Sequence, residues 1–157
     1  MVAQKPTYLT KEGLARLEAE LEHLHAVRRP EVTERLQRAK ELAGTEENAD
    51  YEDAKNEQSF VEGRILDLET LIRSAVLIQE DHPAGGVIGL GSHFSLRNEE
   101  GEEETYTLVG TTEANVAEGR ISNESPVGRA VIGHRARDKV EVKAPAGVRR
   151  YTVLRVA

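Results

Sequence analysis

The chain has no cysteine, no tryptophan and one methionine. Without cysteine, disulfides and thiolate metal sites are excluded. Aromatic residues are almost missing too, with only Tyr8, Tyr51, Phe60, Phe94, Tyr106 and Tyr151. So little aromatic bulk suits long helices that bury a single stripe rather than a large core. Long apolar runs are absent: nothing approaches the roughly 18 residues of a membrane span, and no signal-peptide core is present. A soluble cytoplasmic protein without a membrane partner is expected. An excess of positive charge is missing as well. The 157 residues carry a formal net charge of -7, which argues against a duplex-DNA binder with a basic face.

What the chain does contain changes character near residue 80. Before it, glycine and proline are rare and Glu, Leu, Ala and Arg dominate; after it, Gly, Thr, Val and turn residues take over. The join EDHPAGG, residues 80–86, is rich in helix breakers and reads as a linker. The expected organisation is therefore an N-terminal domain over 1–79, a linker over 80–86 and a C-terminal domain over 87–157.

In the first part Thr10 is suited to cap a helix whose apolar residues Leu14, Leu17, Leu21 and Leu24 recur at three and four, the seam of a coiled coil. Pro30 interrupts, and the stripe resumes at Val32, Leu36, Ala39 and Leu42. One long bent helix is expected, with two helices as the alternative. A second stripe runs Ala54, Val61, Ile65, Leu68, Ile72. Two amphipathic stripes joined by a short polar stretch pack as an antiparallel hairpin. The later half alternates in short runs. His93 to Arg97 and Glu104 to Val109 flank Asn98-Glu99-Glu100-Gly101, and Val140 to Lys143 and Tyr151 to Val156 flank Pro145-Ala146-Gly147, two hairpin signals. Between them Ser125 suits an N-cap, Pro126 the first helical position and Gly133 the stop, giving a short helix that covers a sheet with Val127, Ala130 and Val131. The fold class expected is α+β: an α-helical coiled-coil hairpin, then a small α+β domain.

The hairpin's turn is the candidate site. AGTEENADYEDAK, residues 43–55, places Glu46, Glu47, Asp50, Glu52 and Asp53 within eight positions, although like charges at close spacing repel. A solvated acidic loop is one reading. The other is a metal-directed carboxylate, since Asn48 and Ala49 lead back into a helix and fix Glu47 near its start, where the helix dipole favours a negative group. Such a group would hold Mg²⁺ weakly by itself, because that ion keeps its waters and takes several oxygen ligands, so a partner has to complete the set. Lys40 and Lys55 stand on opposite sides of the turn. They read either as ordinary solvation with pairing to Glu41 or Asp53, or as a small phosphate contact. The five histidines show no metal spacing, the glycines near 85–91 no phosphate-loop pattern, and Ser122 and Ser125 no positioned His and acid.

These residues resemble the Gre family of bacterial transcript cleavage factors. The resemblance rests on YLTKEGLARLEAEL, VRRPEV, ENADYEDAKNEQ and FVEGRILDLE in the first part. In the second it rests on ISNESPVGRAVIGHRARDKVEV followed by APAGVRRYTV, so it covers nearly the whole chain in family order. It implies an FKBP-like C-terminal domain that docks on bacterial RNA polymerase, with SPVGRA and hence Ser125 and Pro126 at that surface. It also implies a coiled coil that enters the polymerase secondary channel, where Glu47, with Glu46 beside it, helps hold a shared catalytic Mg²⁺. The polymerase, not the factor, would then hydrolyse backtracked RNA; beside that, the residue reading of Lys40 and Lys55 as a phosphate contact makes them candidates for touching the nascent RNA 3′ end. No enzymatic activity of its own is implied, and a monomer is expected. The family tip reads G-D-x-x-E-N-A-[ED]-Y; Glu47 matches its Glu, while Gly44 stands at its Asp. An anti-cleavage homologue that occupies the channel and inhibits the polymerase is therefore the alternative. Peptidyl-prolyl isomerase activity is disfavoured for want of an aromatic pocket, and a chaperone-like grip on clients by the charge of the tip.

Overall fold

A computed structural model describes residues 5–43, 49–79 and 85–157. Contacts divide the chain into two compact units, Leu14–Ser74 and Met1–Gly13 together with Ala75–Ala157. The architecture is α+β, as the periodicities predict. Residues 5–13 and 75–79, which the sequence pattern assigns with the hairpin, group by contacts with the sheet unit.

The helical unit is built on α1 (Lys11–His23), α2 (Arg29–Ala43) and α3 (Ala49–Arg73). Between α1 and α2 the chain stays helical through a π-turn, Leu24–Arg28, so residues 11–43 follow one continuous path. Its cause is Pro30. Proline has no N–H to donate to the carbonyl four residues back, and its ring clashes with that carbonyl. A wider turn relieves both, and the Arg29 N–H reaches five residues back to the Leu24 carbonyl. One continuous helix rather than two is thus the outcome, with the wider turn just before the proline.

The seam is the expected one over most of its length. Leu17, Leu24, Val32 and Ala39 are buried, as are Ala54, Val61, Ile65 and Leu68 of α3. Leu42 departs from expectation and is 87% exposed. Ion pairs line the flanks and run antiparallel. Arg64 holds Glu20 through two bonds of 2.7 and 2.9 Å. Arg29 holds Glu62 through 2.8 and 2.7 Å, and Arg28 and Arg35 share Glu57.

Hydrogen bonds from these arginines hold the carboxyls of Glu20, Glu57 and Glu62 below the usual glutamate range, the bond from Arg28 being the largest cause at Glu57. A carboxyl whose pKa is lower folded than unfolded adds stability above the unfolded value, about 4.3. That stability is lost as pH falls through the lowered folded values. Helical circular dichroism at 222 nm should therefore hold constant from pH 7 to about 5, and the melting of the helical unit should weaken progressively below about pH 4.5. A melting profile flat down to pH 3 would remove these pairs from the stability of the hairpin.

The sheet unit contains a parallel pair, β1 (Thr7–Leu9) with β2 (Ala75–Leu77), and a five-stranded sheet. The latter is made of β3 (His93–Asn98), β4 (Glu103–Val109), β5 (Arg120–Ser122), β6 (Lys139–Ala144) and β7 (Gly147–Val156), in the order β5-β4-β3-β7-β6. Both expected hairpins form, β3–β4 and β6–β7. The short helix α4 (Pro126–Val131) lies between β5 and β6. Phe94, Leu96, Leu108, Val131, Val140 and Val153 are among the buried core, with Val127 and Ala130 packed against it. Of the expected linker, residues 80–84 fall outside the described residues.

Within the sheet unit the first turn of α1 is fixed by a carboxylate distant in sequence. The Thr10 hydroxyl accepts from the Gly13 N–H at 3.0 Å, as the capping pattern predicts. Glu113, from a 3₁₀ turn after β4, then accepts from both the Thr10 N–H and the Thr10 hydroxyl at 2.6 Å. Arg120 donates to the same carboxylate at 2.9 Å. The Glu113 side chain is only 8% exposed.

Candidate functional site

The acidic turn joins two helices across a five-residue connection, since α2 ends at Ala43 and α3 begins at Ala49. Gly44, Thr45, Glu46, Glu47 and Asn48 lie outside the described residues. Both metal-directed candidates, Glu46 and Glu47, therefore stand as sequence expectations. What is described is the frame that holds them. The helices approach antiparallel, and α3 opens with Asp50 and Glu52 in its first turn, where the helix dipole favours acids. Among the described residues no group of three or more His, Cys, Asp or Glu could hold a metal ion.

Lys40 and Lys55 are both exposed. Each follows a buried seam residue, Ala39 and Ala54, by one position, a step of about 100° round its helix. Because the two helices run in opposite directions, that step carries both side chains to the same flank. The Arg35–Glu57 and Arg29–Glu62 pairs set a register in which the lysines stand roughly 5 Å apart along the axis. The sequence places them on opposite sides of the turn in the chain; the antiparallel packing brings them to one flank near its end. The Lys55 ammonium lies over the Tyr51 ring, 5.2 Å from its centroid. That contact favours the cation by roughly 0.5–1 kcal/mol at an exposed position. Tyr51 is the member of this group that sequence reasoning passes over, although its spacing of four from Lys55 on a helix was a usable signal.

The second candidate region is built as its sequence predicts. Ser125 caps α4: its side chain accepts from the Gly128 N–H at 3.0 Å, and its hydroxyl donates to the Ser122 carbonyl at 2.6 Å. Pro126 opens the helix. Gly133 follows in the left-handed region at φ 81°, a conformation that costs glycine little and ends the helix. Ser125 and Pro126 are half-buried, so this turn is a rigid ridge rather than a mobile loop. The Ser122 hydroxyl accepts from the Glu124 N–H at 2.9 Å, the Glu124 carboxylate pairs with Lys5, and Glu124 and Arg129 are exposed on either side of the turn.

Comparison with known proteins agrees with this two-part construction. Residues 7–77 match the family described as "Transcription elongation factor, N-terminal", and residues 82–157 match "Transcription elongation factor, GreA/GreB, C-term". The chain is 51% identical over 156 residues to "Transcription elongation factor GreA" of Chloroflexus aggregans, covering 99% of both chains. It is 45% identical over 157 residues to the protein of the same name from Syntrophomonas wolfei, again covering 99% of each. Among solved structures it is similar to "Crystal structure of GreA factor homolog 1 (Gfh1) protein of Thermus thermophilus", with 35% identity, coverage of 98% of this chain and 99% of that one, and a TM-score of 0.45. The two family matches together span almost every residue, and the chain belongs to the GreA/GreB family of transcription elongation factors.

Proposed function

We propose that the protein is an accessory factor that stimulates transcript cleavage by bacterial RNA polymerase. Its hairpin enters the polymerase secondary channel and brings Glu47, with Glu46 beside it, to the polymerase active site. The observation that supports this most is the pairing of two antiparallel helices whose five-residue connection in sequence includes two adjacent glutamates. The hairpin has the length to reach into a deep channel, for α3 alone, at 25 residues, spans about 37 Å. The hydrolysis belongs to the polymerase. A Mg²⁺ ion, mainly held by the polymerase, supplies charge neutralisation of the attacked phosphate. One or two carboxylates from this chain fit that sharing and not a cage of their own, because Mg²⁺ needs more oxygens than they offer. Lys40 and Lys55, on one flank near the tip, contact phosphates of the extruded RNA 3′ end. The ridge at Ser125 and Pro126 meets the polymerase surface. Cleavage of 3′-labelled RNA in a stalled elongation complex, with and without the protein, tests the reading. No acceleration over polymerase alone would reject it.

One residue favours a second reading, in which the factor occupies the channel and inhibits. Gly44 stands where the family tip carries Asp. If Glu46 supplies the missing oxygen, Gly44→Asp changes the initial cleavage rate by less than about twofold, and Glu46→Gln lowers it by tenfold or more. If Glu46 is only a solvated neighbour, Gly44→Asp raises cleavage, most at low Mg²⁺ where each added oxygen ligand counts most, and Glu46→Gln is silent. A Mg²⁺ titration of both variants separates the two, and two silent variants reject both.

A further inference from the structure

The chain as a whole is acidic, at -7, yet one part of it is not. Strands β3, β6 and β7 together carry six basic residues, Arg97, Lys139, Lys143, Arg149, Arg150 and Arg155, against one acid, Glu141. Register concentrates them. Arg97 on β3 and Lys139 on β6 are both direct partners of Thr152 on β7. The three therefore form a row across adjacent strands, each step about 4.8 Å. Their neighbours Leu96, Val140 and Val153 are buried, so by strand alternation the row stands on the open face, away from the core. Arg150, on the same face, is the direct partner of Glu141 and pairs with it at 3.3 Å. The row and this pair line an open groove of about 620 Å³.

We propose that this groove binds an acidic polypeptide segment of a protein partner, with carboxylates seated between Arg97 and Lys139 over the Thr152 hydroxyl. Two cations that flank a hydroxyl donor offer charge-assisted bonds to a carboxylate from both sides. The choice of polypeptide over nucleic acid follows from what surrounds the row. Glu99 and Glu141 line the same groove, and Glu103 is the strand partner of Arg97. A phosphodiester strand carries charge at every step and has to pass close to these acids. A polypeptide places its carboxylates on separate side chains and can leave gaps opposite them. The groove also lacks an aromatic platform for bases, since Tyr151 in its lining is only 9% exposed.

The test uses the full chain and a fluorescein-labelled (Glu-Ser)₅ peptide, read by fluorescence anisotropy at 50 mM NaCl. Binding is expected, with none to (Lys-Ser)₅. The double variant Arg97→Glu/Lys139→Glu is expected to weaken it at least tenfold. Arg73→Glu, a charge reversal on α3 with half that total change, should leave it within twofold. Thermal melting checks that the double variant is folded; both positions are exposed, and Lys139→Ala alone, expected to weaken binding about threefold, serves if it is not. Failure of (Glu-Ser)₅ to bind, or equal loss in the Arg73 variant, overturns the proposal. So does tighter binding of a 20-base-pair DNA duplex that the double variant abolishes, which would assign the face to nucleic acid.

Discussion

Glu47→Ala should reduce stimulated cleavage of backtracked RNA to the level of polymerase alone, while competition for polymerase binding stays within about twofold of the native chain. The two readouts separate because the roles are separate. On the proposed reading, docking contacts are spread over the helical flanks and the turn at Ser125 and Pro126, whereas the metal-directed oxygen is a single atom in the connection between α2 and α3. Mg²⁺ gives up its waters reluctantly, so an oxygen delivered in place by a rigid helix pair acts where a free carboxylate in solution does not. Loss of one well-placed group in an active site commonly costs a factor of 10² or more in rate. Glu47→Asp, one methylene shorter, should recover part of the activity, and Glu47→Gln, which keeps shape but loses charge, should recover little. Native-level cleavage by Glu47→Ala would take this residue out of the mechanism.

The second large effect is structural. Glu113→Ala removes a carboxylate, 8% exposed, that serves Thr10 twice and Arg120 once. Breaking a buried pair by deleting one partner costs about 3–5 kcal/mol, and the low end applies because Arg120 keeps 26% exposure. At about 3 kcal/mol, melting of the sheet unit should fall by roughly 12–24 °C. The site carries an internal control. A Cβ added at Gly13 would lie 2.3 Å from the Glu113 carboxyl carbon. Gly13→Ala should therefore destabilise the native chain although alanine is the better helix former by about 1 kcal/mol. In the Glu113→Ala background that obstacle is gone, and the same substitution should stabilise. The reversal of sign across the double-mutant cycle, read by thermal melting, is the signature of this contact. Additive effects of one sign would show that Glu113 does not press on the helix start.

Most of the architecture was legible because its determinants are local. Leucines at three and four, a proline and two turn signals specify a hairpin and two β-hairpins from neighbouring residues alone, and Ser125, Pro126 and Gly133 fix α4 within nine positions. The acidic turn was legible as a candidate for the same reason. Tertiary structure decided what depends on residues far apart. Leu42 continues the stripe in sequence yet is exposed, because burial depends on what a side chain meets across the fold and not on its place in the stripe. Pairing of β1 with β2 joins segments almost seventy residues apart, and no local pattern in three-residue strands announces it. Glu113 reads as one more acid in an acidic chain until the fold sets it on Thr10 and Arg120. Arg97, Thr152 and Lys139 likewise become a row only through the register of three strands. Composition and periodicity determine which elements form, since they act along the chain; which charges meet is decided across it, by strand register and helix packing.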